Sequence, residues 1–385
     1  MANREVTWFE RMEPTLQDDV IVEVISRMPP RDAMKLCCLS KNWRSLISSS
    51  YFRSLHFENF TRKQSGTFLW RHLYGLGVRV RLEAFSLFKN HHLRTLLVCR
   101  RNCSPLFQIV GVINGLVCLL DENFHSVIRI CIWNPIVKRI IHLPAHPFVI
   151  STAQWCSLVF AFDDTRKDYK VFDAVTYRDS EGRMILGNAS IAVYSFRSKY
   201  WSLLPNSNVP EFALANGFCG AFLEGSCHWP VYGEEPGGGK VKCNLLRVRA
   251  DDYSRSNLNL PEAFPMDVIS DTMVSVTAGC LSLISFLWPM MGFEDISRNV
   301  WIMREYGNPS SWIIRYRIRV GINGLRGPHG TVMIRNGQIY DRTGNGNDPN
   351  GQLAEEVLLC PTTFFRHAFS ESLELLDTGP HVLCV

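Results

Sequence analysis

The sequence lacks the signatures of most chemistries. Its 13 cysteines include no C-x-x-C pair. Cys99 and Cys103 stand in C-x-x-x-C spacing without a second pair, and Cys227-His228, close to Cys219, are neighbours that rarely both reach one tetrahedral ion, so no zinc site is spelled out. There is no G-x-S-x-G, H-E-x-x-H or G-K-[ST] phosphate loop, which removes the commonest hydrolase, metalloprotease and nucleotide-binding designs. The first twenty residues carry Arg4, Glu5, Glu10, Arg11, Glu13, Asp18 and Asp19, leaving no apolar core for a signal peptide. The expected compartment is the nucleus and/or cytoplasm, with reduced cysteines serving as small core-fillers. The net charge of +5 is too mild for a dedicated nucleic-acid binder. No long helical period appears after about residue 105.

One stretch is short of charge instead. Thr272 to Phe293 carries no charged side chain and is long enough to cross a bilayer, but Ser275, Thr277, Gly279, Ser282, Ser285, Pro289 and Gly292 interrupt it. It reads as buried strands, with no membrane contact expected.

The hydrophobic share, 46% against 20% charged, suffices for a large core. At 385 residues the chain fits one small module on one large fold. The small module is helical. Thr15 can cap a first helix, with Asp18 and Asp19 in its opening turn. Val20, Ile21, Val24, Ile25 and Met28 then form one apolar stripe up to Pro29-Pro30. Asp32 can cap a second helix through Ala33, Met34, Leu36 and Cys37, and a third apolar cluster gathers Leu39, Trp43, Leu46 and Ile47. Three short helices cannot bury a sufficient core alone, so the module should lean on something else.

The positive excess is concentrated in residues 61–104, with nine basic side chains and one acidic. This segment reads as a basic linker plus the first strands of a β domain, with Phe85, Leu87, Leu93, Leu96 and Val98 as its buried side chains. Phe68, Trp70, Tyr74, Phe85 and Phe88 are interleaved with its charges, which leaves RNA or an acidic protein open as a partner.

Residues 105–385 read as strands throughout. Asn114-Gly115 between two apolar runs is a hairpin signal. The strands also recur. Trp133, Tyr194, Arg247, Trp301 and Tyr340 occupy equivalent places in successive cells, spaced 61, 53, 54 and 39, and Leu143-Pro144, Leu204-Pro205 and Leu260-Pro261 close the first three. The mean spacing is close to the kelch period of about 50 residues, so the 325 residues after position 60 predict a β-propeller of roughly six or seven blades. Trp133, Tyr194, Trp201, Trp229 and Trp301 are its expected core, and the Gly-rich stretches Tyr232–Lys240 and Gly321–Gly330 are candidate target-binding loops. His228, beside Trp229 and Pro230, reads as a hydrogen-bonded strand residue rather than a general base.

The run from Leu16-Gln17-Asp18-Asp19-Val20 through Ser26-Arg27-Met28-Pro29 to Leu36-Cys37-Cys38-Leu39-Ser40-Lys41-Asn42-Trp43-Arg44 resembles an F-box, spanning residues 10–56. Asn114-Gly115-Leu116-Val117-Cys118, Trp133-Asn134-Pro135, Asp168-Tyr169-Lys170-Val171, Val193-Tyr194-Ser195, Cys227-His228-Trp229 and Trp301-Ile302-Met303-Arg304-Glu305-Tyr306-Gly307 resemble the plant-type F-box-associated domain. The resemblance implies a multidomain α+β chain: a three-helix F-box, then an all-β kelch-like propeller. It implies a non-catalytic receptor subunit of an SCF (Skp–cullin–F-box) ubiquitin ligase without cofactors. The F-box would dock on a Skp-family adaptor, and through it on the cullin, while the C-terminal domain holds an unidentified protein target. The adaptor-binding residues it implies are Leu16, Val20, Val24, Ile25, Met28, Pro29, Leu36, Leu39 and Trp43, with Leu16, Val20, Pro29 and Leu39 facing the adaptor. The competing readings are a binding module outside ubiquitin transfer and, remotely, a kelch-propeller enzyme.

Overall fold

A computed structural model describes residues 18–63, 67–74, 79–86, 91–99, 107–121, 129–144, 154–178, 184–204, 212–214, 220–234, 241–262, 264, 272–277, 279–287, 296–320, 332–335, 338–341, 357–359, 367–368 and 370–375. The chain divides into two compact units: Met1–Glu122 with Arg129–Leu143 and Phe365–Val385, and Asn123–Ile128 with Pro144–Phe364.

The first unit opens with four helices, α1 (Asp18–Ser26), α2 (Pro30–Leu36), α3 (Lys41–Ser48) and α4 (Ser50–Asn59). The expectation of three is corrected by α4. Ser49 caps it, accepting from Phe52 N at 3.1 Å, and Phe52 and His56, one turn apart, are buried. Pro29, not Asp32, is the N-cap of α2, with Pro30 in the first turn where its missing N–H costs nothing. Asp32 pairs instead with Lys35 at 2.6 Å. The basic segment supplies β1 (Thr67–Tyr74), β2 (Arg79–Ser86) and β3 (His91–Cys99). The side chains expected to be buried there lie outside the described residues.

Next comes the meander β4 (Phe107–Ile113), β5 (Leu116–Asp121), β6 (Arg129–Asn134) and β7 (Arg139–His142). Its first turn is Asn114-Gly115, with φ of 52° and 78°. Both central residues lie in the left-handed region, as a two-residue hairpin turn of this kind requires.

In the second unit β8 (Gln154–Asp163), β9 (Asp168–Arg178), β10 (Met184–Ser195) and β11 (Tyr200–Leu203) form one antiparallel sheet. Then β12 (Phe212–Leu214) and β13 (Ala221–Leu223), both paired to β14 (Ser226–Glu234), join β15 (Val241–Arg249) and β16 (Arg255–Asn259) in another. β17 (Thr272–Thr277), β18 (Cys280–Leu287), β19 (Ile296–Met303) and β20 (Trp312–Val320) make a fourth meander. The uncharged stretch supplies the hairpin β17–β18, and no helix among the described residues is long and apolar enough to cross a membrane. Finally β21 (Val332–Arg335), β22 (Gln338–Asp341) and β23 (Val357–Leu359) form a three-stranded sheet. In the first unit β24 (His367–Ala368) returns to β1, completing the sheet β24-β1-β2-β3.

The expected six or seven blades are corrected to four: β4–β7, β8–β11, β12–β16 and β17–β20. Each is a full meander with described core side chains, and the other two sheets are the one completed by β24 and the three-stranded one. The repeat read from the sequence has a structural meaning in these four. Trp133, Tyr194, Arg247 and Trp301 all lie on the third strand of their blade, whereas Tyr340 falls on β22, an edge strand. The expected core residues Trp133, Tyr194, Trp229 and Trp301 are buried, and Trp201 is half-buried. Trp201 Nε1 donates to the carbonyl of Pro144 at 3.2 Å, and Trp312 Nε1 to that of Asn259 at 3.1 Å. Each outer-strand tryptophan thus reaches back to the segment that closes the preceding cell.

Two polar networks run among these sheets. Lys170, 1% exposed, bonds Asp163 Oδ2 at 2.8 Å and the Ala250 carbonyl at 2.6 Å, with Tyr253 beneath it at 4.5 Å. Asp168 accepts from Ser195 Oγ at 2.6 Å and from Arg197 N at 2.9 Å. The Asp-Tyr-Lys-Val motif is therefore a staple between hairpins and between blades. His228, fully buried, has the Ala221 carbonyl 3.3 Å from Nδ1 and the Tyr306 hydroxyl 2.8 Å from Nε2. A carbonyl only accepts, so Nδ1 carries the proton and Nε2 accepts from Tyr306.

Burial, aided by the charge of Arg247, holds the His228 pKa down to about 4 against the opposing pull of the Ala221 carbonyl. An unfolded histidine titrates near 6.5, so between these values the unfolded chain takes up a proton that the folded chain refuses. The stabilisation is complete above about pH 6.5 and is lost as pH falls towards 4, amounting to about 3 kcal/mol. Melting curves between pH 7.5 and 4.5 should show that slope in wild type and a shallower one in His228→Gln. Parallel slopes would refute the assignment.

Candidate partner-docking face

The helical module turns two apolar surfaces in different directions. Inward, Ile25, Ala33, Ile47 and Phe52 form one core with Val137 and Leu373 from elsewhere in the first unit, and Met28, Leu36 and Trp43 pack half-buried against it. Outward, Val20 and Val24, one turn apart on α1, are 44% and 55% exposed, and Leu39, in the turn between α2 and α3, is 72% exposed. Pro29 is exposed as well. Large aliphatic side chains left in water on so small a module are the mark of a surface meant to be covered.

The nine nominated residues therefore divide. Val20, Val24, Pro29 and Leu39 are available to a partner. Met28, Leu36 and Trp43 reach the surface with part of their area. Ile25 is corrected: at 6% exposure it serves the module's own core and supports the docking surface from beneath. Leu16 lies outside the described residues. Sequence reasoning missed Tyr51, 66% exposed in the first turn of α4. Its signal was the Ser49-Ser50 pair, which reads as a helix start.

The outward face is held in shape by polar contacts. Ser40 caps α3, its hydroxyl accepting from Trp43 N at 3.2 Å. The Glu23 carboxylate takes Arg27 at 2.5 Å and Asn59 at 3.1 Å, and the Arg27 hydrogen bond keeps its pKa below the usual carboxylate range. His56 Nε2 donates to the Met28 carbonyl at 3.0 Å. These bonds tie α4 to α1 and to the turn that follows it.

Beneath the module lies a contact with no sequence signal of its own. The segment 370–375 runs between the Asn114-Gly115 hairpin, the β6–β7 turn and the helices. Asn134, fully buried, donates to the carbonyls of Ser372 at 3.1 Å and Glu374 at 2.9 Å, and its Oδ1 accepts from Ile136 N at 2.9 Å. Thr61 Oγ1 donates to the Glu371 carbonyl at 2.9 Å. A Cβ on Gly115 would stand 2.5 Å from the Ser370 carbonyl oxygen, so only glycine fits.

The blades have two unlike ends. First-to-second and third-to-fourth strand turns are mostly short, such as Asn114-Gly115, 164–167, 196–199 and Glu224-Gly225, the longer 304–311 between β19 and β20 being the exception. Second-to-third strand connections and those between successive sheets are mostly longer and emerge at the opposite ends of the strands. Val137 is in a short turn, so the helices pack at the short-turn end of their blade. Both candidate target loops belong to long connections. Residues 235–240 and 321–330 of those loops lie outside the described residues. Among the described residues no group of His, Cys, Asp and Glu side chains has the makings of a metal site.

Comparison with known families matches an F-box domain over residues 14–55 and an F-box associated beta propeller domain over residues 79–325. An F-box/kelch-repeat protein of Arabidopsis thaliana is 22% identical, over 76% of this chain and 77% of its own. Another Arabidopsis F-box protein is 22% identical over 70% and 68%. Among solved structures, TolB from Acinetobacter baumannii superposes with a TM-score of 0.35 at 10% identity, over 66% of this chain and 59% of its own, a likeness too loose to carry argument.

Proposed function

For a chain that belongs to the F-box associated β-propeller family and carries an F-box domain ahead of it, we propose the role of substrate receptor in an SCF ubiquitin ligase. The F-box implies a Skp-type adaptor as partner, and the adaptor would join the chain to the cullin. The observation that carries the reading is the exposed apolar set Val20, Val24 and Leu39 on a module whose other apolar face is already covered. Nothing within the described residues of the first unit covers that set, and a Skp-type adaptor would.

In this reading the receptor performs no chemistry. Its F-box brings the ligase and its β domain brings the target, so transfer is accelerated by proximity alone. The long connections at one end of the blades, including Tyr232–Lys240 and Gly321–Gly330, are the proposed target side, and the proposed compartment is the nucleus and/or cytoplasm. The family name alone would equally allow a binding module outside ubiquitin transfer.

The experiment that separates these is affinity purification of the full chain with the proteasome blocked. Adaptor and cullin should co-purify, together with a ubiquitinated protein that accumulates only under the block. Deleting the F-box would be the poorer control, because Val137 and Leu373 would lose their cover. Retention of a target without adaptor or cullin would overturn the ligase reading.

A further inference from the structure

We propose that the C-terminal segment 370–375 completes the F-box core, so that the docking face is fully formed only in a chain whose last strand has closed on its first sheet. The proposal deepens the receptor reading by adding a condition on adaptor docking, and its structural half stands without that reading.

The helices of the module are seven to ten residues long, too short to persist without tertiary packing. Their shared core is closed by a residue that arrives last. Leu373, 2% exposed, belongs to the same buried cluster as Ile25, Ala33, Ile47 and Phe52. Ile25 is the buried apolar residue of α1, the same helix that displays Val20 and Val24. Removing Leu373 would leave α1 over a void.

The segment is fixed at three further points. Thr61 holds the Glu371 carbonyl, across 310 positions of sequence. Asn134 holds those of Ser372 and Glu374. Gly115 admits Ser370 at a distance no side chain would allow. Immediately before it, β24 pairs with β1, Phe68 opposite Ala368 and Leu69 opposite His367. One short stretch therefore both completes a sheet and seats the helices. The F-box helices are synthesised long before this segment, yet their core waits for it. Adaptor docking then reports that the receptor is whole: a truncated or unclosed β domain would present a loosened face and recruit the ligase poorly.

The test uses full-length protein with Leu373→Asp, Leu373→Ala and the conservative Leu373→Met. Amide hydrogen exchange is followed over α1–α4 and, for reference, over β8–β10. Binding of a purified Skp-family adaptor is measured alongside. In Leu373→Asp the α1–α4 amides should exchange at least about 30-fold faster while β8–β10 keep their protection. Leu373→Ala should fall between, Leu373→Met should match wild type, and adaptor affinity should drop in the same order. If Leu373→Asp fails to fold, the Ala and Met variants decide. Unchanged α1–α4 protection in the Asp or Ala variant would overturn the proposal. Loosened helices in a protein whose wild type binds no adaptor would support the strap and reject the ligase reading instead.

Discussion

Full-length protein carrying Val20→Asp and Val24→Asp should fold as wild type does and lose its adaptor. Both side chains are largely in water in the free chain, so two carboxylates there leave the core untouched. Position 20 is also in the first turn of α1, where the helix dipole favours negative charge, so the change in stability should stay within about 0.5 kcal/mol. In the complex the same carboxylates would be stripped of water with no counter-charge to receive them. Substitutions of that kind at an interface centre cost about 2 kcal/mol or more, roughly 30-fold in affinity each. Adaptor and cullin should vanish from the purification, target ubiquitination should stop, and target binding should persist. A folded double variant that still binds adaptor at wild-type strength would remove the basis for the receptor assignment.

Trp229→Ala should be the most damaging single change in the β domain. Its ring is fully buried in a core with Val159, Ala161, Leu246 and Val248, and its Nε1 donates to the Ser157 carbonyl at 3.0 Å, tying β14 to β8. Emptying such a site costs about 3–5 kcal/mol, and the lost hydrogen bond to Ser157 adds to that. At roughly 2–4 °C per kcal/mol, the midpoint should fall by about 10 °C. Trp301→Ala, buried to a similar degree, belongs to the same class, but the phenylalanine variants should separate the two. Trp301 Nε1 has no hydrogen-bond partner among the described residues, so Trp301→Phe surrenders only volume. Trp229→Phe surrenders a hydrogen bond as well and should melt lower. Equal midpoints for the two phenylalanine variants would show that the Ser157 bond contributes little.

Much of this was legible in the sequence because it rests on local rules. The Asn-Gly turn and the recurring third-strand anchors each follow from the residues themselves, and the structure places them in hairpins and meanders. The outward and inward division of α1 follows from helix geometry, apart from Ile25, where a stripe about 140° wide had to be split between two partners without knowing where the boundary fell. What escaped was non-local. The blade count was extrapolated from a mean spacing, although the fifth cell at Tyr340 lacks a meander of its own. Helix α4 was missed because Phe52 and His56 bury themselves against residues far away in sequence. The segment 370–375 binds chiefly through its backbone carbonyls, which every residue possesses, so no side-chain pattern announces it.

The short turns are crowded with fixed bonds: Asn134 at one, Asp163 and Lys170 at a second, Asp168 at a third. A residue exchanged there breaks a hydrogen bond that holds two strands or two sheets. The described residues of the connections leaving the opposite ends carry none of these anchors. Variation therefore has an address in this fold. Under the proposed receptor role, a designer wishing to change the target would randomise the link between β14 and β15 or between β20 and β21 and leave the hairpin turns alone. In that role the same asymmetry would let a lineage change its target by drift in those links while the scaffold's sequence stays put.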